Sequence, residues 1–155
     1  MIDNIIHAAF LMTTPILLAA LGGLVNRVAG LVNIGLDSMM LAGALVGLMV
    51  ASQTGSWPAA LVAAALVGGL LGLLMSLTVT RLQANEIIVG LGFNIAVAGL
   101  VRFILKSWYG TSGTLSLPDV AMLPRIHIPV VADIPVLGAI FSDHDPLTWA
   151  AWLLV

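Results

Sequence analysis

Three polar side chains lie within apolar stretches of this chain, where polar chemistry is unexpected. Asn33 and Asp37 stand four residues apart just inside one apolar run, and Asn94 lies deeper within another. Carboxamides and carboxylates are costly to place in an apolar environment unless they find partners or water. We therefore treat Asn33 and Asp37 as candidate functional residues. Asn94 must either find a hydrogen-bond partner or line a water-filled path.

A purely structural interpretation of these residues stays open. Asn33 would then be the N-cap of a helix, and Asp37 would be stabilised by the positive end of that helix's dipole. Their four-residue spacing places Asn33 and Asp37 one turn apart on the same face of a helix. Glu86 lies in a similar polar patch, 83–94, which begins the fourth predicted helix. We favour an interpretation of Glu86 as a first-turn partner of its own helix dipole.

The sequence around these residues has the composition of a membrane protein. No Asp, Glu, Lys, Arg or His occurs between Asp37 and Arg81. Of the 155 residues, 61% are hydrophobic and 8% are charged, and the mean hydropathy is +1.16. One helical crossing of a bilayer needs roughly 20 apolar residues, so this single run is long enough for two. We predict an integral membrane protein of the all-α class, a polytopic bundle of transmembrane helices.

Apolar blocks divide the chain into four full spans and a shorter fifth. The fifth block is only about half as long as a crossing. We therefore expect one transmembrane domain over 1–155 that is incomplete at its C-terminus. The expected spans are 5–25, 31–51, 59–79, 87–105 and 146–155, with a long connection over 106–145.

Basic residues in the short connections suggest an orientation. Arg27 and Arg81 lie two crossings apart, so both fall on the same side, which the positive-inside rule makes cytoplasmic. The N-terminus and the connection 106–145 are then external. Within that connection, 134–141 is apolar but too short to span, which favours an interfacial or re-entrant segment.

Glycines at one-turn spacing predict helix-packing faces. Gly43 and Gly47 form one GxxxG pair, Gly68 and Gly72 form another, and Gly35 extends the first face. In lipid, helices associate by close van der Waals approach, so small residues at this spacing mark contact surfaces.

Several classes of function are disfavoured by what the sequence lacks. There is no cysteine, and the three histidines have no metal-ligand spacing. No metalloprotease, nucleophile-elbow or phosphate-loop motif occurs. The net charge of −2 gives no basic footprint for nucleic acid. We therefore expect no enzyme activity, no cofactor, no metal site and no nucleic-acid partner.

A family resemblance is carried chiefly by one stretch, 21–44, which reads LGGLVNRVAGLVNIGLDSMMLAGA. It resembles bacterial ABC-transporter permeases of the branched-chain amino-acid/simple-sugar type. Within that group it is most similar to nucleoside-type permeases that work with basic-membrane-protein-like binding lipoproteins. Further support comes from 84–110 and 128–147. Such permeases commonly carry Glu where this chain has Asp37, a change that keeps the carboxylate.

The resemblance implies a passive pathway through the membrane that is powered from outside the chain. The implied partners are two ABC ATPase subunits, a second permease subunit that is identical or homologous, an extracytoplasmic substrate-binding lipoprotein, and the lipid bilayer of a bacterial plasma membrane. Asn33, Asp37 and Asn94 would line or shape the path. A nucleoside is the first expected solute, with a simple sugar or branched-chain amino acid next. The segment that couples such permeases to the ATPase would lie beyond this chain.

Two other classes of function stay open. A gradient-driven secondary transporter or channel would also contain broken helices and membrane-embedded polar groups. A membrane scaffold that transports nothing would tolerate apolar residues at 33 and 37. Co-purification of an ATPase would count against both alternatives.

Overall fold

The described part of the chain is entirely α-helical. A computed structural model describes residues 2–111, 113, 115, 120, 123–124 and 145–154. Within these residues there are five helices and no β-strand, which confirms the predicted all-α class. The helices are α1 (Ile2–Val28), α2 (Leu36–Thr54), α3 (Trp57–Arg81), α4 (Glu86–Tyr109) and α5 (Pro146–Leu153).

Four of these helices are long and apolar enough to cross a bilayer. The candidate spans are Ala8–Val28, Leu36–Thr54, Trp57–Arg81 and Glu86–Tyr109. Large apolar side chains cover their outer surfaces. Ile95, for example, is 77% exposed. An apolar exterior is unfavourable in water but is the surface that lipid tails require. The chain is therefore a multi-pass membrane protein.

The helix bounds differ from the apolar blocks mainly at the second span. Apolar composition placed that span at 31–51, whereas α2 begins only at Leu36. Residues 31–35 are not helical because Gly30 takes a left-handed conformation (φ +84°) that ends the preceding helix. The segment expected at 134–141 lies outside the described residues. The single-domain organisation and the orientation of the spans remain predictions.

The chain divides into two compact units. One comprises Asn26–Met122 and the other comprises Met1–Val25 with Leu123–Val155. In the first of these, α2 packs on α3 and α4, and α3 also contacts α4. Side chains one turn apart on facing helices form its core, as expected for helix packing. The core residues are Ala42 and Leu45 of α2 with Val97, Val101 and Leu105 of α4.

Small residues let α2 approach α3 closely. A Cβ atom added to Gly47 would lie 3.5 Å from the Cβ of Ala64, and one added to Gly43 would lie 3.6 Å from the Ala64 carbonyl oxygen. A Cβ on Gly72 would be 3.8 Å from the Met39 methyl. By contrast, nothing lies within 4 Å of a Cβ built on Gly68.

The other unit contains α1 and α5, which touch through two pairs of side chains. The rings of Phe10 and Trp152 stack with their centroids 5.0 Å apart. The hydroxyls of Thr14 and Thr148 lie 3.1 Å apart. Asp145 is the N-cap of α5, and its Oδ1 accepts a hydrogen bond from the Thr148 N–H at 2.9 Å.

The N-caps of α4 and α3 provide a matched pair of mutations. Asn85 Oδ1 accepts hydrogen bonds from the Ile87 and Ile88 N–H groups, whereas the N-cap of α3, Ser56, makes no such side-chain bond. We expect Asn85→Ala to lower the free energy of unfolding by about 1 kcal/mol, because two helix N–H groups lose their acceptor. Thermal unfolding in detergent measures this. Ser56→Ala is the control. An equal loss for both variants would contradict the assignment.

Candidate functional site

The candidate site is built on the non-helical segment between α1 and α2, residues 29–35, which we term the α1–α2 connection. Helix α1 ends in a Schellman motif. Its Gly30 N–H bonds to the Arg27 carbonyl, and the Leu31 N–H bonds to the Asn26 carbonyl, both at 3.0 Å. Gly30 is required here because the motif needs a residue with positive φ. The chain then runs without helix as far as α2.

Polar side chains organise the start of α2. Asn33 Oδ1 accepts a hydrogen bond from the Gly35 N–H at 3.0 Å, the local turn that asparagine favours. The buried Ser38 hydroxyl donates to the Gly35 carbonyl at 2.6 Å. Gly35 is the N-cap residue and has no side chain with which to cap the helix. The N–H groups in the first turn of α2 therefore need hydrogen-bond acceptors from other parts of the chain.

Asn94 of α4 supplies that acceptor. Its Oδ1 accepts a hydrogen bond from the Ser38 N–H at 3.0 Å, and its Nδ2 donates to the Ile34 carbonyl at 3.1 Å. One amide thus satisfies a donor at the start of α2 and an acceptor in the α1–α2 connection. Both bonds are partly buried, and each satisfies a backbone group that has no partner within a helix, so they stabilise the non-helical conformation.

Two further residues of α4 hold the same connection. Glu86 Oε2 accepts a hydrogen bond from the Val32 N–H at 2.9 Å. A Cβ on Gly90 would lie 3.0 Å from the Ile34 Cβ and 3.1 Å from the Gly35 nitrogen, so only glycine allows the backbones to meet this closely. Residues 86, 90 and 94 are successive turns of one helix face. We call this surface the α4 face.

The structure brings the three sequence-predicted residues to one locality, though in different ways. Asn94 bonds to Ile34 and Ser38, the immediate sequence neighbours of Asn33 and Asp37. Asn33 is half-buried and Asp37 is exposed in the first turn of α2. The expectation that Asn33 and Asp37 share a helix face is wrong, because residue 33 lies outside the helix. The helix N-cap is Gly35 rather than Asn33.

Sequence reasoning missed the contacts made by Glu86 and Gly90. Glu86 does lie in the first turn of α4, where a carboxylate favours the helix dipole. Its hydrogen bond to Val32 is an additional role. Gly90 had no sequence interpretation of its own. The four-residue spacing of positions 86, 90 and 94 was the available signal, since it marks a stripe of small and polar residues on an otherwise apolar helix.

Two cavities accompany the α1–α2 connection and the helices around it. A small one, of about 30 Å³, is lined in part by Asn33, Ser76 and Glu86. It has room for a water molecule among polar groups. A larger open groove of about 490 Å³ is lined by side chains such as Val89, Phe93 and Leu100 and is almost wholly apolar. Of these two cavities, the small one is the one lined by polar groups.

Fold and site together define a class: a multi-pass helical membrane protein with a polar, non-helical segment held among its spans. Comparison of the sequence with known families identifies the group within that class. Residues 5–136 match the family described as the permease component of branched-chain amino acid transport systems. The chain belongs to this family, and it is a multi-pass protein of the bacterial plasma membrane.

Curated relatives are named as transport permeases. The chain is 33% identical over 144 residues to the guanosine ABC transporter permease protein NupQ of Bacillus subtilis, covering 88% of this chain and 44% of that protein. It is 27% identical over 156 residues to the putative glucose ABC transporter permease protein TsgC13 of Haloferax volcanii, with 98% and 45% covered. It is 27% identical over 150 residues to the nucleoside ABC transporter permease protein NupC of Lactococcus lactis, with 92% and 46% covered.

The match covers only part of each relative. The chain spans a little under half the length of each of these three proteins. No solved structure matches the chain significantly. These relatives are named as permeases rather than enzymes.

The close approach at Gly90 gives a sharp test of the α4 face. Gly90→Ala places a methyl group 3.0 Å from the Ile34 Cβ and 3.1 Å from the Gly35 nitrogen, so the α1–α2 connection would have to shift. We expect a loss of about 1–3 kcal/mol in the free energy of unfolding, typical of overpacking. Gly92→Ala is the matched control, because a Cβ there meets nothing within 4 Å. Thermal unfolding in detergent compares them. Similar stability of the two variants would show that the contact is looser than described.

Proposed function

We propose that this chain is part of the permease subunit of an ABC importer and forms the membrane pathway for a small polar solute, first of all a nucleoside. A separate ATPase drives the transport, and an extracytoplasmic binding protein delivers the solute. The observation that carries the proposal is the polar α1–α2 connection held by the α4 face among apolar spans. The relatives named for guanosine, nucleoside and glucose transport support the solute class, since all three solutes are neutral and rich in hydroxyls.

The three polar residues have different roles in this proposal. Asp37 has an exposed carboxylate at the start of α2, where it can accept hydrogen bonds from a solute. Asn33 contributes a half-buried amide beside the small cavity. Asn94 shapes the path rather than contacting the solute, because both ends of its amide already bond to backbone groups.

The proposed partners complete the transporter. The 155 residues contain no phosphate-loop motif for nucleotide binding, and in this proposal the energy of ATP hydrolysis enters through other subunits. We propose two ATPase subunits, a second permease subunit that is identical or homologous, and a substrate-binding lipoprotein. The same family membership supports this assembly.

Uptake by the complete transporter tests the function. The full-length permease is co-expressed with the products of its neighbouring genes, purified in mild detergent and reconstituted into proteoliposomes with the binding protein. We expect uptake of labelled nucleoside that requires both ATP and the binding protein. Assembly without nucleoside uptake, but with ATP-dependent uptake of a sugar or amino acid, would change the solute. Absence of an ATPase from the assembly, with gradient-driven uptake, would overturn the proposal.

Apolar substitutions test the proposed path. Asn94→Leu leaves the Ser38 N–H and the Ile34 carbonyl without partners, and Asn33→Leu removes the bond to Gly35. An unsatisfied buried group costs about 1–3 kcal/mol, so we expect uptake to fall at least about tenfold in each variant. Gln53→Leu, at the exposed end of α2, is the control. Normal uptake at normal expression by both asparagine variants would remove these residues from the path.

A further inference from the structure

The small cavity beside the α1–α2 connection is surrounded by several elements of one compact unit. Four half-buried polar side chains line it, namely two amides, a hydroxyl and a carboxylate: Asn26, Asn33, Ser76 and Glu86. In that order they come from the end of α1, the α1–α2 connection, α3 and the start of α4, and all belong to the unit Asn26–Met122. The rest of the wall is apolar and includes Met75, which is 6% exposed.

Ser76 differs from the other two hydroxyl residues of its helix. Thr78 and Thr80 each donate a hydrogen bond to the carbonyl oxygen four residues earlier, at 2.8 Å and 2.7 Å. Serine and threonine often use this acceptor when they lie inside a helix. The Ser76 hydroxyl makes no hydrogen bond to any residue that the structure describes. It is therefore available to a group inside the cavity.

Glu86 also has hydrogen-bonding capacity that its protein contacts leave unused. Its Oε2 accepts the Val32 N–H at 2.9 Å. Within the described residues its Oε1 has no hydrogen-bond partner, and the carboxylate forms no ion pair. The side-chain amide of Asn26 likewise makes no hydrogen bond in that part of the chain. The cavity therefore offers a carboxylate that accepts hydrogen bonds, amide groups that donate them and a hydroxyl that can do both.

The size of the cavity selects the ligand. Its volume is about 30 Å³, and a water molecule needs roughly 10–15 Å³ of such space with about two to four polar partners. Pockets for small organic molecules have roughly 300–1,000 Å³, so a nucleoside or sugar does not fit. A calcium ion takes roughly six to eight oxygen ligands, whereas a single carboxylate lines this cavity. Water fits both the volume and the mixture of donors and acceptors.

We propose that the cavity binds an ordered water molecule that joins Ser76 of α3 to Glu86 of α4. The water donates a hydrogen bond to Glu86 Oε1 and bonds to the Ser76 hydroxyl, and a neighbouring amide of the cavity wall completes its partners. Because Glu86 already holds Val32 directly, the water extends this attachment of the α1–α2 connection to a third helix. Ser76 and Glu86 are then energetically coupled without a direct bond, since both depend on the same molecule.

Radiolytic labelling of the complete permease, assembled with its partner subunits in detergent, tests the water itself. X-rays convert water into hydroxyl radicals, which oxidise the side chains closest to where they form. We expect Met75 to be oxidised to the sulfoxide although it is only 6% exposed, because the bound water lies beside it. Ser76→Val removes the hydroxyl and adds apolar volume at the cavity, so the oxidation should fall severalfold. Ser52→Val is the matched control, because the half-buried Ser52 hydroxyl bonds within its own helix, and it should leave the oxidation unchanged.

A double-mutant cycle tests the coupling. Ser76→Ala and Glu86→Ala should each lower the melting temperature of the complete permease in detergent. The double variant should lose less than the sum of the two losses, since either change alone already releases the water. Ser52→Ala combined with Glu86→Ala is the matched control, and there the two losses should add. The cycle is measured in sodium chloride and again in choline chloride.

Three results would overturn the inference. They are protection of Met75 from oxidation in the unsubstituted permease, additive losses for Ser76→Ala and Glu86→Ala, and coupling that disappears in choline chloride, which would assign the cavity to a sodium ion. If a substituted chain does not assemble, oxidation of Met75 in the unsubstituted permease still decides, because it requires no variant. None of these measurements depends on transport, so they separate this inference from the proposed function.

Discussion

The rest of the unit Asn26–Met122 depends on one constraint: backbone groups that leave helical geometry and are shielded from water must be hydrogen-bonded by other parts of the protein. The α1–α2 connection leaves helical geometry within an otherwise apolar region, so its N–H and carbonyl groups need partners. The α4 face provides them through Glu86 and Asn94, and Gly90 lets the two backbones meet. The polar residues of the site are thus held by a helix that is distant in sequence.

In the proposed function, residues that hold the path are distinct from those able to contact a solute. Asn94 is fully engaged with the backbone, and so belongs to the first group. Asp37 presents an exposed carboxylate and belongs to the second. The distinction has a practical consequence. Substitution of a holding residue should change assembly and uptake together, whereas substitution of a contacting residue should change the apparent affinity for solute.

The helices of the two units are held together by different kinds of contact. In one, glycines bring α2 and α3 together, as at Gly43 and Gly47, and the polar segment is carried by α4. In the other, α1 and α5 meet through an aromatic stack and a pair of buried hydroxyls. Small residues and hydroxyls are the contacts that helices in lipid use, because apolar side chains gain little by leaving lipid tails for each other.

The sequence by itself determined the membrane class, the four long spans and the family, because hydropathy and a contiguous motif are local properties of the chain. It also predicted that Asn33, Asp37 and Asn94 line or shape a path through the membrane, which stays a prediction. It could not locate the start of α2, since apolar composition does not distinguish residues 31–35 from the helix that follows. Only the tertiary structure decided which groups satisfy that segment. The partners of Val32, Ile34 and Ser38 are more than fifty residues away along the chain, and no local pattern encodes such a pairing.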